Sequence, residues 1–482
     1  MAGVIGGPCR LAVWVTASGL VALAGCGRLQ GTSHRADAAS IGDTPTLRDA
    51  PATGEAGQQH CDNSLVWQGD YVIGSQADLD RLRGYTSIHG SLTIDSDELV
   101  NLHGLECLHT VDESFSIGYC PLAGTSPEPP CTSNANLTSL EGLGIVYVHA
   151  GFGVQHAPLL RDLHGLETLR SANQIAIFAL PALRSLAGLE NIDPGSWLYI
   201  ADNPLLEDLS AFSGKALLGS VILAKNKSLT SLEGLEISSV MQSFQITGSP
   251  QLASLADLGL YYVHGDVVIQ DLDQIVDLTG LEALSHVGTL MIAYDAALRN
   301  ILALAKLREI SELALRGNPS LTSLAGLSIA QTSLKSVDIA GNASLSDLRG
   351  FEQVTEMGYL RVEGSKTLTN LDGLASLVSV GANGLYLEDN AALTSLDGLR
   401  ALARVDGDIS VDANQVLQDV AVLEEITFSG SWLTIMHNAS LPNCQAWRVY
   451  EAQVAKGWKG EARICNNLDD GCAGTIDCTY LD

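Results

Sequence analysis

Leucine falls on a fixed beat along most of this chain. The pattern Leu-x-x-Leu-x-Gly-Leu has its first position at Leu99, Leu137, Leu160, Leu183, Leu206, Leu229, Leu252, Ile275, Leu298, Leu321, Leu345, Leu368, Leu393 and Leu417. From Leu137 to Leu321 the step is 23 residues eight times running, and later steps are 23 to 25. The fourth positions are Leu, Ile or Val and the seventh are Leu or Phe, with Phe212 and Phe351 as the aromatic cases. A unit this short cannot close a core alone, so the pattern predicts stacked coils that bury their apolar layers against one another. The long step from Leu99 to Leu137 predicts an insertion loop, a less regular coil begins near Leu79, and a last one runs into Leu441.

Polar positions follow the same beat. The third position is Ser, Asp or Asn in all fourteen coils, as in Asp162, Ser185, Asp208 and Ser395. Such short side chains cap backbone N–H groups of a tight turn. The sixth is Gly in ten coils, where the chain needs positive φ or close approach. Each coil then carries a short alternating strand, such as Trp197-Leu198-Tyr199-Ile200, Leu290-Met291-Ile292 and Leu433-Thr434-Ile435. Three residues before most coil starts stands Asn, at Asn203, Asn226, Asn318, Asn342, Asn390, Asn414 and Asn438, while Ala157, Leu180 and Leu272 break the series. A stacked Asn column predicts side-chain amides satisfying the backbone of neighbouring coils at a corner.

The Leu-x-x-Leu-x-Gly-Leu turn, the x-x-Val-x-Gly step as in Ala403-Arg404-Val405-Asp406-Gly407, and the Leu-x-Ile strand resemble the receptor L-domain family. The resemblance covers about Cys61 to Cys472. The run Leu441-Pro442-Asn443-Cys444, with Gly457-Trp458 and Cys465 after it, is similar to the closing segment of secreted myxobacterial-type members. The resemblance implies a right-handed β-helix of leucine-rich-repeat character and, from family domains in growth-factor receptors, protein ligands. An ordinary bacterial leucine-rich repeat is the alternative fold. The expected class is therefore mainly β, a right-handed parallel β-solenoid of 23–25-residue coils with a short C-terminal helical cap.

Residues 1–25 read as a lipoprotein signal: Arg10 precedes an apolar stretch, and Leu23-Ala24-Gly25-Cys26 resembles the tetrad cleaved before a lipidated cysteine. Residues 26–60, rich in Ala, Gly, Ser, Thr and Asp, read as a flexible tether. The solenoid is expected over 61–443 and a disulfide-rich cap over 444–482. Eight further cysteines form two groups, Cys61, Cys107, Cys120 and Cys131 in front and Cys444, Cys465, Cys472 and Cys478 behind. An exported protein would use them to staple the two open ends. Cys120 with Cys131 and Cys444 with Cys465 are the preferred pairs. These features place the protein outside the cytoplasm, on the outer membrane or cell surface.

Composition narrows the function. The chain of 482 residues is 46% apolar but 5% aromatic, as many small leucine layers require. Its net charge of −29 repels phosphate backbones, so nucleic acid is excluded as a partner, and the only membrane contact expected is the lipid anchor. His-Glu-x-x-His, Gly-x-Ser-x-Gly and glycine-rich phosphate loops are missing, and the eleven His are scattered. No metal, cofactor or catalytic residue is expected. Asp469-Asp470-Gly471 only hints at calcium.

The outward strand column turns apolar through Ala176, Tyr199, Ile222, Val268, Met291 and Ala314, interrupted by Gln245 and flanked by Phe178 and Trp197. Contiguous apolar surface of this kind marks an interface. Trp197, Tyr199, Ile222, Val268 and Met291 are the candidate contacts for a surface protein or glycan. Asp338 and Arg361, one coil apart, are expected to form an exposed ion pair. The expected function is a non-enzymatic binding, adhesion or recognition module, with a β-helix carbohydrate-active enzyme or a structural envelope protein as alternatives.

One outcome follows from the signal alone. Cys26→Ser should move the protein from the membrane fraction to the soluble fraction of fractionated cells, and unchanged membrane partition would refute lipidation at Cys26.

Overall fold

The computed structural model describes residues 61, 65–118, 134–215 and 219–472. The expected signal, the tether, Cys26, the Cys120 to Cys131 segment and Cys478 lie outside them. The described chain is a mainly β parallel solenoid of about 15 turns with little helix.

Each coil contributes one rung to a principal parallel ladder. Leu92–Ile94 pairs with Phe115–Ile117 in register, and the stack continues rung by rung to Ile409–Asp412 and Trp432–Met436. Inward residues such as Phe115, Phe152, Ile175, Leu198, Leu290 and Leu385 are buried, together with the leucines of the turns, in one continuous core. The burial alternates buried and part-exposed along the rungs because successive strand side chains point to opposite faces.

The x-x-Val-x-Gly step forms a second, shorter parallel ladder, which sequence reading did not identify as strand. Ser333–Leu334, Glu356–Met357, Ser379–Val380, Arg404–Val405 and Thr427–Phe428 are its late rungs. In the middle coils long strands such as Tyr147–Gln155 and Asp193–Ala201 run through both ladders.

The turn column behaves as its residue types require. In all fourteen coils the third-position side chain accepts a hydrogen bond from the backbone N–H two residues on, at 2.8–3.2 Å. The sixth-position glycines are fixed by close approach. A Cβ on Gly165 would lie 2.2 Å from the Leu140 carbonyl oxygen, and one on Gly373 would lie 2.0 Å from that of Leu348. Gly165 also has φ +111°, whereas Gly373 sits in the single 3-10 turn Asp372–Leu374 without positive φ.

The Asn column is fully buried and bridges coils. Oδ1 of Asn226 accepts from the Asn203 N–H at 3.2 Å, and its amide donates to the Ile200 carbonyl at 2.9 Å. Asn318, Asn342, Asn390, Asn414 and Asn438 repeat both bonds. The residue before this position is left-handed in coil after coil, including Asp202, Lys225, Ala413 and His437. That backbone turn aims the amide inward.

The stack runs past residue 443. The helix Asn443–Ala455 packs Ala446 and Val449 inward, Gln453 donates to the Leu423 carbonyl at 2.7 Å, and Trp458 Nε1 donates to the Gly430 carbonyl at 2.7 Å. The chain then returns as Glu461–Cys465, a further rung on Trp432–Met436, and Asn467 extends the Asn column. Disulfides join Cys61 to Cys107 and Cys444 to Cys472. The expected Cys444 with Cys465 pair does not form. Cys465 ends the last rung in register with Met436 and is disulfide-bonded elsewhere, whereas Cys472 lies back over the helix start with its Cα 5.1 Å from that of Cys444.

Asp295 stands in the Asn column with Oδ1 accepting from the Leu272 N–H at 2.8 Å and Oδ2 buried without a hydrogen-bond partner. Burial, with Asp271 and Asp273 adding to it, pushes its pKa up to about 8. The folded chain therefore keeps this proton up to about pH 8, while the unfolded chain releases it near pH ~4. The contribution of Asp295 to stability falls as pH rises between those values and levels off above them. Asp295→Asn supplies an amide where the acid needs a proton. The variant should exceed the parent in denaturant midpoint at pH 8.5, with the gap closing toward pH ~4. A pH-independent gap would contradict this.

Candidate binding face

The candidate contacts sit on the outer face of the principal ladder because they alternate with core residues. Leu198 and Ile200 point inward, which turns Trp197 and Tyr199 outward. Pairing then aligns Ala176, Tyr199, Ile222, Gln245, Val268, Met291 and Ala314 in consecutive coils. Seven rungs at the strand spacing span about 29 Å.

The rings gather at one end of this stripe. Trp197 and Tyr199 are parallel with centroids 5.4 Å apart, Phe178 meets Tyr199 edge-on at 5.7 Å, and His156 meets Phe178 edge-on at 6.0 Å. Burial holds the His156 imidazole below its usual range against the opposing charge of Asp202, and burial with Asp202 adding to it holds the Tyr199 hydroxyl above its own. At neutral pH the cluster thus presents neutral, partly desolvated rings. Its register partners are uncharged, with Gln174 beside Trp197, Gln155 beside Phe178 and Gln245 beside Ile222, and Asp202 is the carboxylate that acts on its edge.

The five candidate contacts are not equivalent. Trp197, Tyr199, Val268 and Met291 are part-exposed. Ile222 is only 4% exposed, between Tyr199 and Gln245 in register, so it supports its neighbours from beneath. Ala201 and Ala293 on the adjacent column are also buried. The accessible part of the stripe is consequently its rings, with Val268 and Met291 further along.

Charge closes the stripe at its C-terminal side. Asp338 pairs with Arg316 through contacts of 2.9 and 2.6 Å, and Arg361 pairs with Glu363. The expected Asp338 with Arg361 pair is therefore replaced by two others. Arg316 lies two residues beyond Ala314, the register partner of Asp338, and reaches it diagonally. On the N-terminal side Ser116 donates its hydroxyl to that of Thr93 at 3.2 Å.

Other polar groups are occupied structurally. The Asp470 carboxylate accepts from the Cys444 N–H at 3.1 Å and Asp469 from the Gly471 N–H at 3.1 Å. Cys444, Asp470 and Cys472 lie close together, but their two sulfurs are bonded to each other and cannot act as thiolate ligands. Two open hollows lie off the stripe. One of about 620 Å³ runs beside the short ladder past Lys335, Glu356 and Asp406, and one of about 410 Å³ is lined by His103, Glu141, His164 and Glu167.

No protein-family model matches this chain, and no curated protein does. Among solved structures it is similar to the pneumococcal vaccine antigen PcpA at 11% identity and a TM-score of 0.17, over 86% of this chain and 91% of that one. It is also similar to a leucine-rich cell surface protein from Faecalibacterium prausnitzii at 11% identity and a TM-score of 0.12, over 89% of this chain and 96% of that one. At these TM-scores the two likenesses carry no argument about function.

Proposed function

We propose that the protein is a lipid-anchored, exported, non-catalytic binding module that engages a surface protein or a glycan through the stripe on its principal ladder. The observation that carries this reading is the Phe178, Tyr199 and Trp197 cluster, part-exposed and uncharged, on the outer face of a sheet whose ends are polar. Solvated sheet faces favour polar side chains, and aromatic residues dominate interface hot spots. Trp197 is the anchor in this reading, with Tyr199, Val268 and Met291 extending the contact.

The address rests on Cys26 and its tetrad, which make the protein a lipoprotein of the outer membrane or cell surface. Disulfides at both ends suit an oxidising compartment. Among the described residues no helix is long and apolar enough to cross a membrane. Asp338 and Arg361 on the outward column are taken up in ion pairs and Arg463 lies over the Trp432 ring, which supports binding over acid–base catalysis. The resemblance to receptor L-domains favours a protein ligand.

The test is a panel of purified cell-surface proteins and glycans, probed with the parent and with a Trp197→Ser, Tyr199→Ser, Met291→Ser triple variant. Ile222 is left intact because it is buried. A partner of the parent should lose at least about 30-fold in affinity, since hot-spot truncations cost about 2 kcal/mol or more. Equal binding by a folded triple variant would remove the stripe as the binding face.

A further inference from the structure

We propose that His89, Asp112 and His149 form a site for a divalent transition metal of Zn²⁺ type, clamping three consecutive coils on a column separate from the aromatic stripe. The three belong to one outward column. Ser87 and Ile88 pair with Thr110 and Val111, which pair in turn with Tyr147 and Val148, so the next residues along, His89, Asp112 and His149, stack in neighbouring coils. Asp112 is the middle rung.

Its two carboxylate oxygens face different rings. Oδ2 lies 3.7 Å from Nε2 of His89, and Oδ1 lies 3.6 Å from Nδ1 of His149. Those separations exceed a good hydrogen bond, about 2.7–3.2 Å. Each separation runs to a different carboxylate oxygen, so a single ion would draw both rings toward one side of the carboxylate. One carboxylate between two imidazoles is also more than an ion pair needs.

A supporting partner is in place. The Gln68 amide lies 3.3 Å from Nδ1 of His89, the ring nitrogen that faces away from Asp112. Turned to present its oxygen, this amide would fix the tautomer that leaves Nε2 free for a metal. The nearby Glu113 is engaged by the Ser91 hydroxyl at 3.1 Å. The three ligand atoms do not yet converge within 4.8 Å of one another, so closure requires the rings to turn. Side-chain exposures of 49%, 44% and 61% leave them room to do so.

The donor set selects the metal. Two imidazole nitrogens and one carboxylate suit zinc and its first-row neighbours, whereas Ca²⁺ and Mg²⁺ take oxygen ligands. Three protein ligands leave a fourth position for water. The −29 charge of the chain raises the local cation concentration.

The experiment is calorimetric titration of the chelator-treated full protein with Zn²⁺ and, separately, with Ca²⁺. The parent should bind Zn²⁺ in preference to Ca²⁺. The half-exposed substitutions Asp112→Asn and His149→Gln should each weaken Zn²⁺ binding at least about tenfold, and Gln68→Ala about tenfold as an outer partner. Zinc-edge absorption of the loaded parent should report nitrogen and oxygen donors, a readout that needs no variant to fold. Undiminished affinity in both ligand variants, sulfur donors, or preference for Ca²⁺ would overturn the proposal. So would a loss confined to His103→Gln and His164→Gln, which would move the site to the other histidine hollow.

Discussion

The solenoid depends on a buried amide at one corner. Where coil after coil leaves the principal ladder, the chain turns through a left-handed residue whose own N–H still reaches the next rung, and the N–H that follows it is met by a side-chain amide instead. A buried N–H or carbonyl left without a partner costs about 1–3 kcal/mol. Asn meets both needs at once, accepting from one N–H and donating to one carbonyl of the coil before it, as Asn414 does toward Asn390 and Leu387. The exceptions show the constraint from the other side. Ser249 and Ser365 are too short, and their hydroxyls are buried without hydrogen-bond partners, as is Oδ2 of Asp295.

Everything outward of that corner inherits its spacing. Coils held at one pitch bring strands into register, and register turns isolated outward residues into columns. Tyr199 meets Phe178 edge-on and Asp112 meets two histidines only because residues a full coil apart in sequence become neighbours. The aromatic stripe and the histidine column lie on different ladders. A partner on one and a cation on the other would therefore occupy separate faces of the same scaffold.

Much of this was legible in the sequence, because short-range chemistry repeated at a fixed period leaves a direct trace. The leucine layers, the third-position turn bonds and the Asn column all follow from residue type and spacing alone. The short ladder did not, since two-residue rungs carry too little alternation to register as strand. Nor did the choice of Cys472 over Cys465 for Cys444, which depends on how the chain folds back after the terminal helix. The burial of Ile222 and the diagonal reach of Arg316 to Asp338 are likewise set by neighbours in adjacent coils. Asn467 was missed because it follows the helix and falls off the leucine beat. The candidate face was visible as an apolar column, but which of its members reach solvent was not.

Native-state hydrogen exchange on Asn414→Leu tests the corner most directly. Leucine occupies the equivalent position at Leu180 and Leu272, so the shape is tolerated and only the amide bonds are lost. The Asn390 N–H, which donates to Asn414 Oδ1 at 3.0 Å, should lose protection about tenfold or more, with the loss spreading into the flanking rungs. Unchanged protection at Asn390 in the folded variant would show that the column decorates the solenoid without holding it together.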